Sequence, residues 1–536
     1  MTNYQFTGGT ICAPATIPGT GAISIIRVSG KESLAIADKV IDTKGVPIAE
    51  TEGYRLRYGT VFEADGSVLD NVIISVFRAP HSYTGENSVE ISCHASRFIV
   101  NKILELLVNA GARIAAPGEF TRRAFVNGKM DLAQAEAVAD VIASQSAASH
   151  RVAMNQLKGG FSSELKVLRE KLLTMTSLLE LELDFSEEDV EFASRKELGQ
   201  LVDDSLTHIG RLTASFSRGN AIKNGVPVAI VGATNTGKST LLNALLGEER
   251  AIVSDIAGTT RDTIEETLNI DGILFRFIDT AGIRETDETI EKIGIDRTFK
   301  KLGEAAVVLG MTDLSRGEAA VLEDADFILS KVNEMGGVKN VGLAIDGAET
   351  GGAFLAETGG TSQHGHGDGQ ERKMVILVNK CDVAGSFYRD DNGTGDGSGN
   401  DLGENMAEIG DNKNVNHDNN IISLIENKYD NCKVIPISAK TGKGLSTLTK
   451  TLGEIGSEIT GSTDETLVTN VRHYEALVRA ASALERVRAG LHIATLPPDL
   501  IAQDLREALY HLGEIVGEIS TDETLGNIFR NFCVGK

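Results

Sequence analysis

Residues Val228 to Asn243, VAIVGATNTGKSTLLN, decide the fold of the central part of this 536-residue chain. The apolar run that opens the stretch predicts a buried parallel strand, and the leucines that close it predict a helix. Between them, residues 232–239 match G-x-x-x-x-G-K-[ST] without a gap. This order is typical of a phosphate-binding loop, in which backbone N–H groups surround phosphate oxygens, Lys238 adds charge and Ser239 offers a hydroxyl to Mg2+. The alternative is a chance match in an ordinary strand-to-helix turn.

Composition limits the class of protein. The 52 basic and 76 acidic residues give a formal charge of −24, so we expect no DNA binding by bulk electrostatics and any RNA contact to be local or supplied by a partner. The length suggests roughly three or four domains. The five cysteines are scattered, as in proteins of a reducing compartment. Without an apolar run of membrane length or a signal peptide, we expect a cytoplasmic protein with no membrane contact.

The first 125 or so residues show a mixed α and β pattern. Strands are predicted at Ile23–Val28, Asn71–Phe77 and Val89–Cys93, and a helix at Ile99–Leu107. Polar residues gather in the connecting loops. A small ligand-binding module and an assembly domain with polar turns both fit this pattern.

Two long helical stripes flank the central region. Apolar residues step by four and three through Phe161, Leu165, Leu168, Leu172, Met175 and Leu179, and again through Ile501, Leu505, Ala508, Leu512, Ile515 and Ile519. Each set occupies one face of a helix. We predict one helical bundle built from both flanks, with the phosphate-binding domain inserted between them; two independent bundles are the alternative.

Four further motifs follow the glycine loop in order. Residues 254–262 carry a threonine suited to a second Mg2+ bond, and residues 275–282 form a strand that ends in an aspartate. Residues 379–382, NKCD, end another strand, and their aspartate can accept two hydrogen bonds from guanine that adenine cannot donate. Residues 434–440, VIPISAK, close the set. Five motifs at strand ends predict a GTPase domain.

The position after Asp279-Thr-Ala-Gly282 holds Ile283, where a water-orienting glutamine would be expected. An isoleucine cannot polarise water, and although Arg261 and Arg284 are nearby, no arginine finger is evident. The domain therefore needs another positive charge and another group to orient water.

Beyond these patterns, the chain resembles the tRNA-modification GTPase family called MnmE or TrmE along nearly its whole length. The resemblance lies in eight stretches: Pro18–Gly30, Ser82–Glu86, Ile91–His94, Ala116–Phe125, Asn127–Glu136, Asp255–Asp262, Asp279–Arg284 and Phe532–Lys536. It implies an α/β and α multidomain fold with a P-loop, Ras-like G domain inserted in the helical domain. The implied limits are 1–125 for a folate-binding and dimerisation domain, 126–223 and 462–536 for the helical domain, and 224–461 for the G domain.

The resemblance implies a role for each motif residue of the G domain. Glu291 is implied to orient the attacking water, although by itself it looks like an ordinary solvated glutamate. Lys238 is implied to be catalytic, Ser239 and Thr260 to bind Mg2+, and Asn235, Ser254, Ile256 and Thr259 to bind K+. The implied GTP-binding set is Asn235, Thr236, Gly237, Lys238, Ser239, Thr240, Ser254, Asp255, Ile256, Ala257, Gly258, Thr259, Thr260, Asp279, Thr280, Ala281, Gly282, Asn379, Lys380, Asp382, Ser438, Ala439 and Lys440.

At the chain ends, the resemblance implies that Arg27, Glu90, Lys129 and Lys536 line a site for a tetrahydrofolate derivative. Cys533 matches a cysteine required for tRNA modification; a free thiol in the tail and a degenerate prenylation box are the alternatives. The implied activity is K+-activated GTP hydrolysis coupled to C5 (carboxymethyl)aminomethyl modification of the wobble uridine of certain tRNAs. The implied assembly is a homodimer that forms a heterotetramer with a partner carrying FAD and using NADH.

Some features depart from the family pattern. His94 precedes Ala95 and Ser96 instead of paired glycines, and the segment ending at Asp313 is a weakened V-x-D strand end. Residues 336–370 and 384–420 are rich in Gly, Asp and Asn, which predicts disordered insertions, with metal binding by His364 and His366 as the alternative. A regulatory or ribosome-assembly GTPase without modification activity is the competing function, and a scaffold that no longer hydrolyses GTP is a third.

Overall fold

A computed structural model describes residues 8–184, 195–249, 266–278, 305–334, 372–383, 424–426, 428, 432–461, 466–493, 497–519, 521–530, 532 and 535. The chain divides into two compact units. The first comprises Met1–Ser144, His150–Phe216 and Asp464–Lys536, and the second comprises Gln145–Ser149 and Ser217–Thr463. Both chain ends therefore belong to one unit and the glycine loop to the other. Within the described ranges, no helix is long and apolar enough to cross a membrane.

A seven-stranded sheet forms the N-terminal part of the first unit, in the order β3-β4-β5-β6-β2-β1-β7. Its strands are β1 Ile11–Pro14, β2 Ile23–Ser29, β3 Ile41–Asp42, β4 Arg55–Phe62, β5 Val68–Phe77, β6 Ser88–His94 and β7 Arg113–Ile114. The pair β1 and β7 is parallel, and the other neighbours are antiparallel. Alternate residues such as Ile26, Ile74 and Ile91 enter a core closed by helices α1 Ser33–Val40 and α2 Arg97–Asn109.

The opposite face of this sheet carries exposed apolar side chains. Leu56 and Tyr58 on β4 and Ile73 on β5 are 68, 66 and 49% exposed. Tyr58 is directly opposite Ile73 across the strand pair, so the three side chains share one face. A contiguous apolar surface of this kind commonly marks an interaction site.

The first unit continues into helices drawn from both flanks of the chain. They are α3 Glu119–Val126, α4 Leu132–Ala143, α5 Ala147–Leu157, which begins in the second unit, α6 Gly160–Asp184 and α7 Arg195–Ala214, with α12 Val471–Leu491, α13 Pro498–Val516 and α14 Asp522–Arg530. One core contains Leu165 and Leu172 of α6 together with Leu505 and Leu512 of α13. The prediction of a single bundle built from both flanks is confirmed.

The prediction placed Ile519 on the apolar stripe of α13, and this is wrong. The helix ends at Val516 because Gly517 adopts φ 82°, and the amides of Gly517 and Glu518 both donate to the carbonyl of Gly513. This left-handed cap turns the chain, so Ile519 folds back towards Gly513 and stays 39% exposed.

A buried ion-pair cluster joins the two flanks. Glu136 on α4 accepts from His473 Nε2 at 2.7 Å and from Arg472 Nε at 3.0 Å, both on α12. Arg472 also donates to the carbonyls of Glu514 and Ile515 at the end of α13. Burial opposes ionisation of Glu136, but the His473 and Arg472 charges and hydrogen bonds prevail and lower its pKa from 4.5 to about 2.

We expect Glu136→Gln to lower the free energy of unfolding of the helical part by about 3 kcal/mol at pH 7, from the shift of the Glu136 pKa. A carboxyl group whose pKa is lower in the folded state stabilises the fold fully when the pH is above its unfolded-state pKa, here about 4.5. This contribution disappears as the pH falls through the folded-state pKa of about 2. Urea unfolding followed by circular dichroism should show the variant approaching the wild type below pH 3. The exposed Glu170→Gln is the control, and an equal loss at pH 7 and pH 2.5 would contradict the account.

The second unit is built on a six-stranded sheet in the order β13-β12-β11-β8-β10-β9. Its strands are β8 Val226–Gly232, β9 Glu266–Ile270, β10 Ile273–Ile278, β11 Val307–Asp313, β12 Lys373–Asn379 and β13 Lys433–Pro436. All neighbours are parallel except β9 and β10. Within the described ranges, the unit also contains helices α8 Phe216–Asn224, α9 Lys238–Glu249, α10 Glu318–Glu334 and α11 Leu445–Thr460. The predicted α/β G-domain architecture is confirmed.

Candidate functional site

The glycine loop follows β8, which lies between β11 and β10 in the sheet. The loop spans residues 233–237, and α9 begins at Lys238. Gly237 has φ 98°, and a Cβ there would overlap the side-chain amide of Asn379. Asn235 also adopts a left-handed conformation, with φ 61°. Left-handed residues directly before a helix N-terminus are typical of loops whose backbone amides bind phosphate oxygens.

The side chain of Lys238 bends back to the start of this loop. Its Nζ donates to the carbonyls of Gly232 at 2.9 Å and Ala233 at 2.8 Å. Burial lowers the pKa of Lys238 from its ordinary value, because a desolvated ammonium loses hydration. A phosphate group would supply the charge that this ammonium lacks among neutral carbonyls.

Asn379 connects three motifs that are far apart in the sequence. Its Nδ2 donates to the carbonyl of Thr236 at 2.7 Å, and its Oδ1 accepts from the amide of Ala439 at 3.0 Å. The residue is only 3% exposed, at the end of β12. One buried amide therefore holds the glycine loop, the NKCD motif and the SAK loop in a common geometry.

Asp382 stands beside the SAK loop and faces solvent. Its Oδ1 accepts from the Ser438 hydroxyl at 2.7 Å. This hydrogen bond, with smaller contributions from its own backbone amide and from the charges of Lys440 and Lys380, lowers the pKa of Asp382. The carboxylate is thus an anion and an acceptor at neutral pH, as recognition of the two donor groups of guanine requires.

The pairing of Asp313 with Lys380 was not predicted. Lys380 has φ 67°, and its Nζ donates to Asp313 Oδ2 at 2.6 Å. Asp313 Oδ1 accepts from the amide and hydroxyl of Ser315. Burial alone would raise the pKa of Asp313, but the Lys380 and Ser315 hydrogen bonds lower it. The aspartate at the end of the weakened V-x-D segment was the available signal.

Part of the predicted site lies outside the described residues. This applies to Ser254, Asp255, Ile256, Ala257, Gly258, Thr259, Thr260, Asp279, Thr280, Ala281, Gly282, Glu291, Cys533 and Lys536. Of the described elements, β9 begins shortly after the motif at residues 254–262, and β10 ends directly before Asp279. Both predicted insertions, residues 336–370 with His364 and His366 and residues 384–420, also fall wholly outside the described ranges. In the part of the chain that is described, no cluster of His, Cys, Asp and Glu is arranged to hold a metal ion.

The first unit brings together a second group of predicted residues. Arg27 on β2 lies opposite Glu90 on β6, and its Nε and Nη2 both donate to Glu90 Oε1 at 2.9 Å. The guanidinium also lies over Tyr83 and Phe120, with 5.1 and 5.6 Å to the ring centroids. The two aromatic residues were not predicted to belong to this group, although both lie within the family-like motifs.

Lys129 contacts the loop that carries Tyr83. Its Nζ donates to the carbonyl of Pro80 at 3.0 Å, and its side chain packs against Gly85. The loop is held from the other side by Arg123, which is 1% exposed and forms ion pairs with Glu86 and Glu119. Arg123 thus ties the loop that carries Glu86 to Glu119 at the start of α3.

The C-terminal segment reaches the same group. Helix α14 packs through Leu525 and Phe529 against Leu132 and Ala135 of α4. Beyond it, the carbonyl of Gly535 accepts from Arg27 Nη1 at 3.4 Å. Arg27, Glu90 and Gly535 thus lie together, and the assignment of a folate site to this place stays a prediction.

The His94 region keeps a regular backbone despite the missing glycines. The His94 amide donates to Asp70 Oδ2 at 2.9 Å, and its Nδ1 is 2.7 Å from Asp70 Oδ1. The Ala95 amide donates to the carbonyl of Ala22 at 3.4 Å. The departure at residues 95 and 96 leaves the end of β6 paired with the start of β2.

Comparison with known proteins covers nearly the whole chain. Residues 10–129 match the family model described as GTP-binding protein TrmE N-terminus, and residues 132–533 match the MnmE helical domain model. A curated tRNA modification GTPase MnmE from Parabacteroides distasonis is 46% identical over 98% of this chain and 100% of that protein. Proteins of the same name from Bacteroides thetaiotaomicron and Porphyromonas gingivalis are 44 and 43% identical over 98 and 99% of this chain and 99% of each protein.

Among solved structures, the FeoB G-domain from Methanococcus jannaschii is 18% identical to this chain. The match covers 43% of this chain and 97% of the FeoB chain. Its TM-score of 0.24 is too low to bear on the fold.

Proposed function

The chain belongs to the MnmE family of tRNA modification GTPases, and from this membership and its two residue groups we propose a K+-activated GTP hydrolase that acts in tRNA modification. It works with a flavin-dependent partner to install a C5 (carboxymethyl)aminomethyl group on the wobble uridine of certain tRNAs. Hydrolysis is assigned to the G domain, residues 224–461. The modification chemistry is assigned to the folate-binding and dimerisation domain, residues 1–125, and to the C-terminal end of the helical domain, residues 126–223 and 462–536.

The observation that carries this proposal is the meeting of Gly535 with Arg27 and Glu90. A purely regulatory or ribosome-assembly GTPase has no need to bring its C-terminal residues to a cation–carboxylate pair on its N-terminal sheet. Binding of 5-formyltetrahydrofolate to the full chain, measured by calorimetry, separates the two functions. Saturable binding that Arg27→Ala abolishes supports the modification enzyme, and no binding favours the regulatory GTPase.

The donor set around Arg27 suits a folate. Glu90 is a carboxylate at the sheet surface, the kind of group that accepts paired N–H bonds from an aminopyrimidinone ring. Tyr83 and Phe120 offer aromatic surface, and Arg27, Lys129 and Lys536 offer cations for carboxylates. When bound, the folate supplies a one-carbon unit, and these side chains bind and orient it.

The glycine loop suits the triphosphate of GTP with Mg2+. We assign phosphate contacts to the amides of residues 235–240 and to Lys238, Mg2+ contacts to Ser239 and Thr260, and guanine recognition to Asp382 with the SAK loop. We also assign nucleotide contacts to the remaining motif residues of the two segments outside the described ranges, residues 254–260 and 279–282. Glu291 orients the attacking water in place of the glutamine that Ile283 replaces.

We propose that Asn235, Ser254, Ile256 and Thr259 bind K+. The side-chain amide oxygen of Asn235, presented by a left-handed residue in the glycine loop, is a ligand of the hard-oxygen type that K+ prefers. A cation at this place supplies the positive charge that an arginine finger supplies in other GTPases.

We expect GTP hydrolysis to fall about a hundredfold when K+ is replaced by Na+ at constant ionic strength, because the smaller ion fits the same oxygens poorly and transition-state charge is left without compensation. Phosphate release in matched chloride salts measures this. Asn235→Ala should hydrolyse GTP slowly in both salts. Equal wild-type rates in K+ and Na+ would rule out the potassium assignment.

We expect Cys533→Ser to abolish tRNA modification and to leave GTP hydrolysis within about twofold of the wild type. The thiol is assigned to the modification site, and the glycine-loop site lies in the other unit. Cys381→Ser is the control, since it removes a thiol from the NKCD motif. Modification that persists in the Cys533→Ser protein would refute the assignment and favour a free thiol in the tail.

For assembly, we propose a homodimer through the N-terminal domain and a heterotetramer with the flavin-dependent partner. The exposed face formed by Leu56, Tyr58 and Ile73 supports the first contact. Ser75 lies on β5 with Ile73 and is directly opposite Glu90 on β6, so this face continues to the proposed folate residues. The net charge of −24 supports tRNA contact that is local or shared with the partner.

A further inference from the structure

We infer that Gly535 is a positioning residue for the modification reaction: its missing side chain lets the C-terminal tail dock on Pro14 beside Arg27. The inference rests on the proposed function, since it concerns the site to which the modification chemistry is assigned. It adds a requirement at a residue to which neither the motifs nor the family resemblance gave a role.

The contact at Gly535 leaves no room for a side chain. A Cβ at this position would overlap the carbonyl oxygen of Pro14 and lie 3.0 Å from its carbonyl carbon and 3.2 Å from the Cα of Ala15. These are backbone atoms, which cannot rotate away as a flexible side chain can. Gly535 also has φ 98°, a conformation that L residues rarely adopt.

The surface that receives Gly535 is rigid. Pro14 ends β1, a strand paired with β2 on one side and β7 on the other, and its residues Ile11 to Ala13 are fully buried. The next residue, Ala15, donates its amide to the carbonyl of Ile25 at 2.7 Å. A side chain at residue 535 would therefore displace the tail and not the strand.

Arg27 fixes the direction of the tail. Its Nη1 donates to the Gly535 carbonyl, while Nε and Nη2 are held by Glu90. Its guanidinium lies over the rings of Tyr83 and Phe120. Because three other groups, Glu90, Tyr83 and Phe120, define the guanidinium position, the tail carbonyl can meet it in one register only.

A second attachment lies six residues upstream, at Phe529. Gly118, with φ 66°, is the N-cap residue of α3, and a Cβ there would lie 2.7 Å from the carbonyl oxygen of Phe529. Phe529 in turn contacts Phe532, with 5.2 Å between ring centroids. The tail is therefore attached at Phe529 and at Gly535, and Cys533 lies between these attachments in the sequence. Displacement of a reacting group by about 1 Å can cost about a hundredfold in rate.

The test compares Gly535→Ala with Gly526→Ala in the full-length chain. Gly526 lies on α14 in the same segment, and a Cβ there meets no atom within 4 Å, so it is a matched control. Each variant replaces the wild type in a deletion strain, and modified wobble uridine is quantified in the tRNA pool by mass spectrometry. The purified proteins are assayed for GTP hydrolysis, thermal unfolding and hydrogen exchange of the C-terminal peptide.

For Gly535→Ala we expect modification to fall at least tenfold, consistent with the cost of misplacing a reacting group. We expect GTP hydrolysis within about twofold of the wild type and an unchanged unfolding midpoint. Hydrogen exchange of residues 531–536 should be faster than in the wild type, because one docking contact is lost. Gly526→Ala should match the wild type in every assay.

Wild-type modification by Gly535→Ala would overturn the inference. So would a joint fall of GTP hydrolysis and unfolding midpoint, which would make Gly535 a structural residue only. A different result concerns the proposed function itself: if the wild-type chain restores no modified uridine, that function fails whatever Gly535→Ala does.

Discussion

Replacement of Asp382 by asparagine is expected to lower the affinity for GTP by about a thousandfold, since a site built on specific hydrogen bonds strongly rejects a mismatched partner. Asp382 presents a solvent-facing carboxylate whose pKa is lowered by the Ser438 hydroxyl. Guanine offers N–H donors at N1 and at the 2-amino group. The asparagine side chain has only one acceptor oxygen, so its NH2 group faces at least one of these donors and repels it. Xanthine carries an oxygen at position 2, so the variant should gain affinity for xanthosine triphosphate.

Titration of the full-length variant with labelled GTP and xanthosine triphosphate measures this exchange of specificity. Asp326→Asn is the matched control, because Asp326 lies in the same unit and forms a surface ion pair with Lys428 at 2.7 Å, with both side chains 48% exposed. Such pairs contribute about 1 kcal/mol at most. Unchanged GTP affinity in Asp382→Asn would show that the guanine assignment is wrong.

Replacement of Asn379 by alanine is expected to weaken GTP binding by about a hundredfold, since two buried polar groups would lose their partners at about 1–3 kcal/mol each. The affected groups are the Thr236 carbonyl of the glycine loop and the Ala439 amide of the SAK loop. Without the connecting side chain, the glycine loop and the SAK loop no longer hold a common geometry, so binding must order them.

Asn269→Ala is a suitable control for this loss. Asn269 also uses its side-chain amide for two backbone contacts, to Gly272 N at 3.1 Å and to the carbonyl of Gln145 at 3.0 Å, but on β9 instead of at the ends of β8 and β12. We expect its GTP affinity to stay within about threefold of the wild type. If Asn379→Ala binds GTP as tightly as this control, Asn379 does not organise the site.

The sequence predicted those parts of the fold that repeat a pattern. The stripe from Phe161 to Leu179 has the helical period and lies in α6, and the short apolar runs at Val228 and Val375 are the buried strands β8 and β12. The error at Ile519 came from extending a period past Gly517, whose left-handed cap ends the helix. Periodicity describes which face of a helix is apolar, but it does not mark where a cap stops the helix.

The strands β1 and β4 were not predicted. Strand β4 mixes buried Val61 with exposed Leu56 and Tyr58, so its alternation has no clear polar face. Strand β1 has only four residues, and its pairing with β7 depends on residues about 100 positions away. Such pairings are tertiary properties that local patterns do not carry.

Motif spacing located the nucleotide site, but it did not show how the motifs are joined. Nothing local marks Asn379 as the group that reaches both Thr236 and Ala439, or Lys380 as the partner of Asp313. The same holds for the contact of Gly535 with Pro14, which joins opposite ends of the chain. These contacts depend on the folded sheet and emerge only in three dimensions.

The most direct test of the account is the nucleoside content of tRNA from a strain that lacks this chain. Mass spectrometry should find the C5 (carboxymethyl)aminomethyl group missing from the wobble uridine, restored by the wild-type chain and not by Cys533→Ser. A deletion strain whose wobble uridines are modified as in its parent would contradict the proposed function.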